Sequence, residues 1–87
     1  MALYSRSRPE QARAADEIEA LLLAYPYIRQ VEGITVWELM RDHPNRLKSA
    51  IGVLAAIGLL TEERRVRREM FPGQQNCLEM IRVYPLG

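Results

Sequence analysis

The chain is poor in everything that holds a small protein together covalently or through a metal. It has one cysteine, Cys77, and one histidine, His43. No intrachain disulfide can close, and the usual four-ligand zinc site cannot be assembled. No Pro-, Gly- or Ser-rich tract separates two halves of its 87 residues, which leaves room for one domain over residues 7–87 behind a flexible stretch, 1–6. Long apolar runs are also missing. The longest, Ala50 to Leu60, contains two glycines and falls well short of the roughly 18–20 residues that cross a bilayer. No apolar signal core precedes the first charged residues. The expected setting is intracellular, nuclear in a eukaryote and cytoplasmic otherwise, with no membrane partner.

Catalytic patterns are absent too. There is no glycine-rich phosphate loop, no Cys/His pair and no His-with-carboxylate spacing of a known motif. The adjacent carboxylates Asp16-Glu17 and Glu62-Glu63 diverge on a helix or a strand. The chain is expected not to be an enzyme and to need no cofactor. At this length a single core buries a little over about 60% of the unfolded surface, so a partner that covers more would suit it.

Charge is present in both signs and nearly balanced, at +1 overall. Glu10, Asp16, Glu17, Glu19, Glu32, Glu38 and Asp42 dominate the first half. Arg46, Lys48, Arg64, Arg65, Arg67, Arg68 and Arg82 dominate the second. Lys48 is the sole lysine, a bias expected of a G·C-rich genome.

Ser7-Arg8-Pro9-Glu10 has the form of a capping box with Pro in the first turn, so a helix is expected to start there. Ala15, Ile18, Leu22 and Tyr25 form its apolar stripe, and Pro26 ends it near Ala24. Thr35 and Glu38 make a second capping box, with Ile34 and Leu39 as a hydrophobic staple. A short helix from Val36 to Arg41 follows. Asp42 or His43 can cap a third helix with Pro44 at its first position. This helix is expected from Pro44 to Ile57, burying Leu47, Ala50, Ile51, Leu54 and Ile57 and ending at Gly58 as the left-handed terminator. Val66–Phe71 and Cys77–Tyr84, joined by a tip at Pro72–Asn76, read as a β-hairpin. The order specifies an α+β fold: a small winged helix-turn-helix of three helices followed by a two-stranded hairpin wing.

The stretch Asn45 to Leu60 resembles the recognition helix of the E-two-factor/DP winged-helix transcription factors. Val53-Leu54 and Ile57-Gly58-Leu59-Leu60 match the second half of that helix, and Arg46 falls on the second arginine of its Arg-Arg-x-Tyr-Asp signature. Asn45, Lys48 and Ser49 stand where that signature has Arg, Tyr and Asp. The resemblance implies a DNA-binding domain that works in pairs.

Two function classes follow. In the first, the third helix enters the major groove of double-stranded DNA. Arg46 then reads guanine, Asn45 addresses adenine, Lys48 and Ser49 touch backbone or bases, and Arg64, Arg65, Arg67 and Arg68 neutralise phosphates. Transcription regulation as a homo- or heterodimer would be the outcome. In the second, the winged helix is a protein-interaction subunit of a larger nucleic-acid-processing complex. Plainer roles stand beside these. The arginine-rich strand can be a solvated edge, and Arg46 with Lys48 can be the solvent face of a helix. Trp37 is expected as core filling, His43 as a cap or turn residue, and Cys77 as a small buried strand residue.

Overall fold

Pro26 stops the first helix where the sequence requires it, because its ring removes an N–H donor and fixes φ at −55°. The computed structural model describes residues 2–87, with side chains from residue 9 onward. The first helix begins at Ala2 and not at the expected Ser7, with Pro9 inside it, while the side chains of residues 1–8, and with them the Ser7 cap, lie outside the described ones. The elements are α1 (Ala2–Leu23), α2 (Tyr27–Glu32), β1 (Ile34–Thr35), α3 (Val36–Asp42), α4 (Ala50–Glu62), β2 (Val66–Glu69) and β3 (Arg82–Pro85). The result is an α+β fold with four helices and one three-stranded antiparallel sheet among the described residues. It is not the three helices and two strands that the sequence suggested.

Helix α1 buries Ala15, Ile18 and Leu22, as its spacing requires. Its C-terminal carbonyls would be left without partners. The side-chain amide of Gln30 meets this need by donating to the carbonyls of Leu23 (3.1 Å) and Tyr25 (2.8 Å). That bond explains helix α2, which the sequence did not announce: a single turn-and-a-half folds back after Pro26 and caps its predecessor.

Gly33 carries the chain out of α2 at φ 87°, a region that side chains with a Cβ rarely occupy. A Cβ there would also come within 2.6 Å of Arg82 Cγ and of Tyr84 Cε2. Strand β1 pairs with β3 through Ile34↔Val83 and Thr35↔Arg82. Strand β3 also pairs with β2, from Val66↔Pro85 to Glu69↔Arg82, so the sheet order is β1-β3-β2. A two-residue strand gives no alternation to detect, which is why only a hairpin was expected.

The capping box at Thr35 and Glu38 is complete. Glu38 N–H donates to Thr35 Oγ1 at 3.1 Å, and Thr35 N–H donates back to Glu38 Oε1 at 3.1 Å. Ile34 and Leu39 are both buried beside it. Two further amides at the start of α3 are met from a distance: Val36 N–H donates to the Ile81 carbonyl (3.0 Å) and Trp37 N–H to the Leu78 carbonyl (3.1 Å). This explains why the returning strand is shorter than expected. Residues 77–81, read as the start of a strand, form turns whose carbonyls serve α3, and strand pairing begins only at Arg82. Cys77 accordingly lies in a turn, half-buried, and not in a strand.

The third expected helix differs most. Pro44–Arg46 form an isolated turn in which Arg46 and Leu47 N–H groups donate to the His43 carbonyl (3.2 and 2.9 Å). His43 is the C-cap of α3. The chain then extends, and Ser49 caps α4 by accepting from Gly52 N–H at 3.2 Å. A short hydroxyl side chain favours this cap over a helix interior, which moves the start from Pro44 to Ala50. The buried stripe rotates with it: Val53, Ala56, Ile57 and Leu60 are buried, Leu54 is half-buried, and Ile51 is 81% exposed. Gly58 does not end the helix. The ending comes at Arg64, at φ 59°, where Arg64 N–H donates to the Thr61 carbonyl (3.1 Å) and Arg65 N–H to the Leu60 carbonyl (2.9 Å). This double bond is the Schellman arrangement, with arginine where glycine is usual. Trp37, expected inside, is 45% exposed and lies under the Arg41 guanidinium at 4.8 Å.

The core joins α1, α3, α4 and the sheet around Ile18, Leu22, Ile34, Leu39, Ile57, Leu60, Ile81 and Val83. Two outcomes follow. Arg64→Gly removes the cost of a left-handed arginine and should raise stability by about 1 kcal/mol, read from the urea midpoint. Glu38 is subject to burial, which raises its pKa, but the Thr35 N–H and hydroxyl and the Arg29 guanidinium outweigh it and hold the carboxyl below its usual value. Its contribution is therefore present above the ordinary glutamate pKa and fades as pH falls through the lower folded value. The urea midpoint should drop between about pH 5 and 3, and Glu38→Gln should flatten that slope.

Candidate interaction surface

The loop before α4 is held by Leu47, which is buried at 6% exposure. Around this anchor the loop brings together Asn45, Arg46, Lys48 and Ser49. Their commitments differ. Arg46 Nη1 donates to Glu17 Oε2 on α1 at 2.8 Å, and the Ser49 hydroxyl is occupied as the α4 cap. Asn45 and Lys48 are exposed, and neither side chain has a hydrogen-bond or ion-pair partner among the described residues.

The four arginines after α4 do not form one patch. Arg64 is exposed at the helix terminator. Arg65 turns back toward α1, where it meets Asp16 (2.6 Å), Glu19 (2.6 Å) and, from its own segment, Glu63 (2.9 Å). Hydrogen bonds to Glu19, then to Asp16 and Glu63, hold its guanidinium above its ordinary pKa. Arg67 and Arg68 are successive strand residues and point to opposite faces of the sheet. Arg67 stacks 3.9 Å over the Tyr84 ring and lies 3.8 Å from Glu69. Arg68 is half-buried beside α4, where its Nη1 would be 3.8 Å from a Cβ added at Gly58. Of the eight candidate residues, Asn45, Lys48 and Arg64 are exposed and have no hydrogen-bond, ion-pair or ring-stacking partner among the described contacts, whereas the exposed Arg46 and Arg67 each lie within 4.0 Å of a carboxylate.

Two exposed surfaces are apolar, one on α4 and one beside α2. Helical geometry puts Ile51, Ala55, Gly58 and Glu62 on one line, opposite the buried Val53, Ala56, Ile57 and Leu60. Ile51 and Ala55 are exposed, and Gly58 is half-exposed. From Ala50 to Leu60 no side chain carries a polar atom. Thr61 spends its hydroxyl on the Ile57 carbonyl at 2.7 Å. This property was legible in the sequence, but an assumed start six residues too early turned Ile51 inward and hid it. A second apolar surface lies across the sheet, where Leu23, Tyr27, Val31, Tyr84 and Leu86 line an open groove of about 500 Å³. Tyr27 is 79% exposed there.

No helix among the described residues is long and apolar enough to cross a membrane. Comparison of the chain with protein-family models, with characterised proteins and with solved structures gives no match in any of the three.

The Arg65 cluster ties the end of α4 to α1, so Arg65→Ala should lower the urea midpoint while leaving the far-ultraviolet spectrum of the folded chain unchanged. The loss relative to wild type should shrink in about 1 M salt, where the screening length falls to about 3 Å. An undiminished loss would show that the arginine acts by packing its stem and not by its charge.

Proposed function

We propose that this chain is a protein-interaction module laid out as a winged helix, with the outer face of α4 as its docking surface. Support for the layout comes from the order helix, short helix, strand, helix, helix and paired strands, and from the likeness of Asn45–Leu60 to a winged-helix recognition helix. The observation that carries the function is the outer face of α4. A helix that reads a major groove presents donors and acceptors to base edges. This one presents Ile51 and Ala55 and no polar side chain before Thr61. A helix that is apolar on every side belongs in an interior, and a single copy of this chain leaves one side in water.

The second reading, double-stranded DNA binding in transcription regulation, draws on the exposed Asn45, Lys48 and Arg64. These positions would contact phosphates from the loop and the helix end, without the helix reading bases. Charge argues less for it, because Arg46 and Arg65 already face carboxylates at hydrogen-bond distance.

Titration of the intact chain against random and G·C-rich duplexes at two salt concentrations separates the two. The interaction reading expects no saturable binding even at low salt. Salt-sensitive binding that disappears in Lys48→Ala and Arg64→Ala would overturn it in favour of DNA. A photoreactive residue at position 51, introduced in the producing cells, should give adducts to protein, while the same residue at exposed position 11 should not.

A further inference from the structure

We infer that the partner of the α4 face is a second copy of this chain, packed antiparallel about a two-fold axis through Ala55. The inference rests on the interaction reading above and adds the identity of the occupant.

The 13-residue helix Ala50–Glu62 is roughly 20 Å long, and Ala55 lies near its centre on the open side. Turning the helix end for end about Ala55 superimposes its outer face on itself in a complementary way. Ile51 of one copy falls between Gly58 and Leu59 of the other, so the most exposed apolar side chain of the helix seats against a backbone position without a side chain, flanked by Leu59 and Arg68. Ala55 meets Ala55, which allows the helices to approach to the short end of the usual 8–10 Å separation.

The ends settle the direction. Lys48 lies just before the cap of α4, and Glu62 is its last residue. Both are exposed, and neither has an ion-pair partner within 4.0 Å among the described residues. In the antiparallel arrangement each Lys48 meets the Glu62 of the other copy, twice by symmetry. A parallel arrangement would set Lys48 on Lys48 and Glu62 on Glu62. An interface that is its own complement under a two-fold rotation is the requirement for a closed homodimer. Opposite charges at the rim with an apolar centre give the usual anatomy of such a contact. The net charge of +1 adds no general repulsion between copies. Helix α1 is not needed for pairing, since it spends Asp16, Glu17 and Glu19 on arginines of its own chain.

Sedimentation equilibrium of the intact chain should show a monomer–dimer equilibrium at micromolar to millimolar concentration. Ala55→Arg should be monomeric throughout, with an unchanged far-ultraviolet spectrum because the position is exposed. Lys48→Glu and Glu62→Lys should each weaken association by about tenfold or more, the equivalent of 1.4 kcal/mol, and the double exchange should restore it. In a Cys77→Ser background, Ala55→Cys should form a disulfide-linked dimer under mild oxidation, since two-fold-related residues at this crossing come within the Cα separation a disulfide spans. Gln11→Cys should not. A chain that stays monomeric at millimolar concentration, a dimer indifferent to Ala55→Arg, or a double exchange that fails to restore pairing would each overturn the inference. A monomer whose position 51 still captures other proteins overturns self-pairing alone. Duplex binding lost in Lys48→Ala and Arg64→Ala overturns the interaction reading beneath it.

Discussion

The reciprocal bond between Thr35 and Glu38 is the joint on which the other elements turn. Thr35 is at once a strand residue paired with Arg82 and the cap of α3, and it follows by two residues Gly33, whose backbone conformation favours glycine. Glu38 accepts from Thr35 and also from Arg29 of α2. Four elements thus converge on two residues. Such a cap contributes on the order of 1 kcal/mol to a helix in general. Here its loss would also release the register of β1, because the same residue holds both. The carbonyls of Leu78 and Ile81 complete the joint by taking the next two amides of α3. The segment before β3 is therefore positioned by a helix terminus, not by strand pairing.

Much of this joint was legible in the sequence, since a capping box and a staple are local patterns with local causes. The end of α1 at Pro26 was legible for the same reason. What could not be read was non-local. Strand β1 exists because β3 arrives beside it, and α2 exists in part because Gln30 has carbonyls of α1 to meet. The start of α4 was misjudged through a real ambiguity: Pro44 and Ser49 are both credible openings, and only the extended backbone between them decides for Ser49. Starting α4 at Ala50 puts Ile51, expected inside, in solvent and brings Val53 into the core. Gly58 misled similarly. Its presence suggested a stop, yet the helix continues and ends on Arg64, whose left-handed backbone no composition rule would favour.

Among the candidate contact residues, the grouping of Asn45, Arg46, Lys48 and Ser49 followed from their adjacency. Their availability did not. Arg46 and Arg65 are separated by 29 and 49 residues from the acids that occupy them, and such pairs have no signature in sequence. The acidic face of α1 now has a use: it gathers arginines from either end of α4 and fixes how the two helices lie together. Surface ion pairs of this kind contribute little individually. A cluster that shares one guanidinium among three carboxylates fixes geometry more than it adds energy, and it withdraws positive charge from any external anion.

The link between β2 and β3 has a further consequence. From Met70 to Met80 it advances by successive single turns, with bonds from Gln74 to Phe71, Cys77 to Gln74 and Met80 to Cys77. Its early part touches little: a Cβ at Gly73 would meet no atom within 4 Å, and Phe71 is 62% exposed. It is fastened at its two ends, by Met70 against the core and by Leu78 and Ile81 at the start of α3. Chain length around Gly73 is consequently a free variable of this architecture. Added residues there would cost only the slowly growing entropy of a longer loop, leaving the fastening at Leu78 and Ile81 in place. The tip is thus a natural port, a place where a peptide could be spliced into the chain without disturbing the fold or the open face of α4.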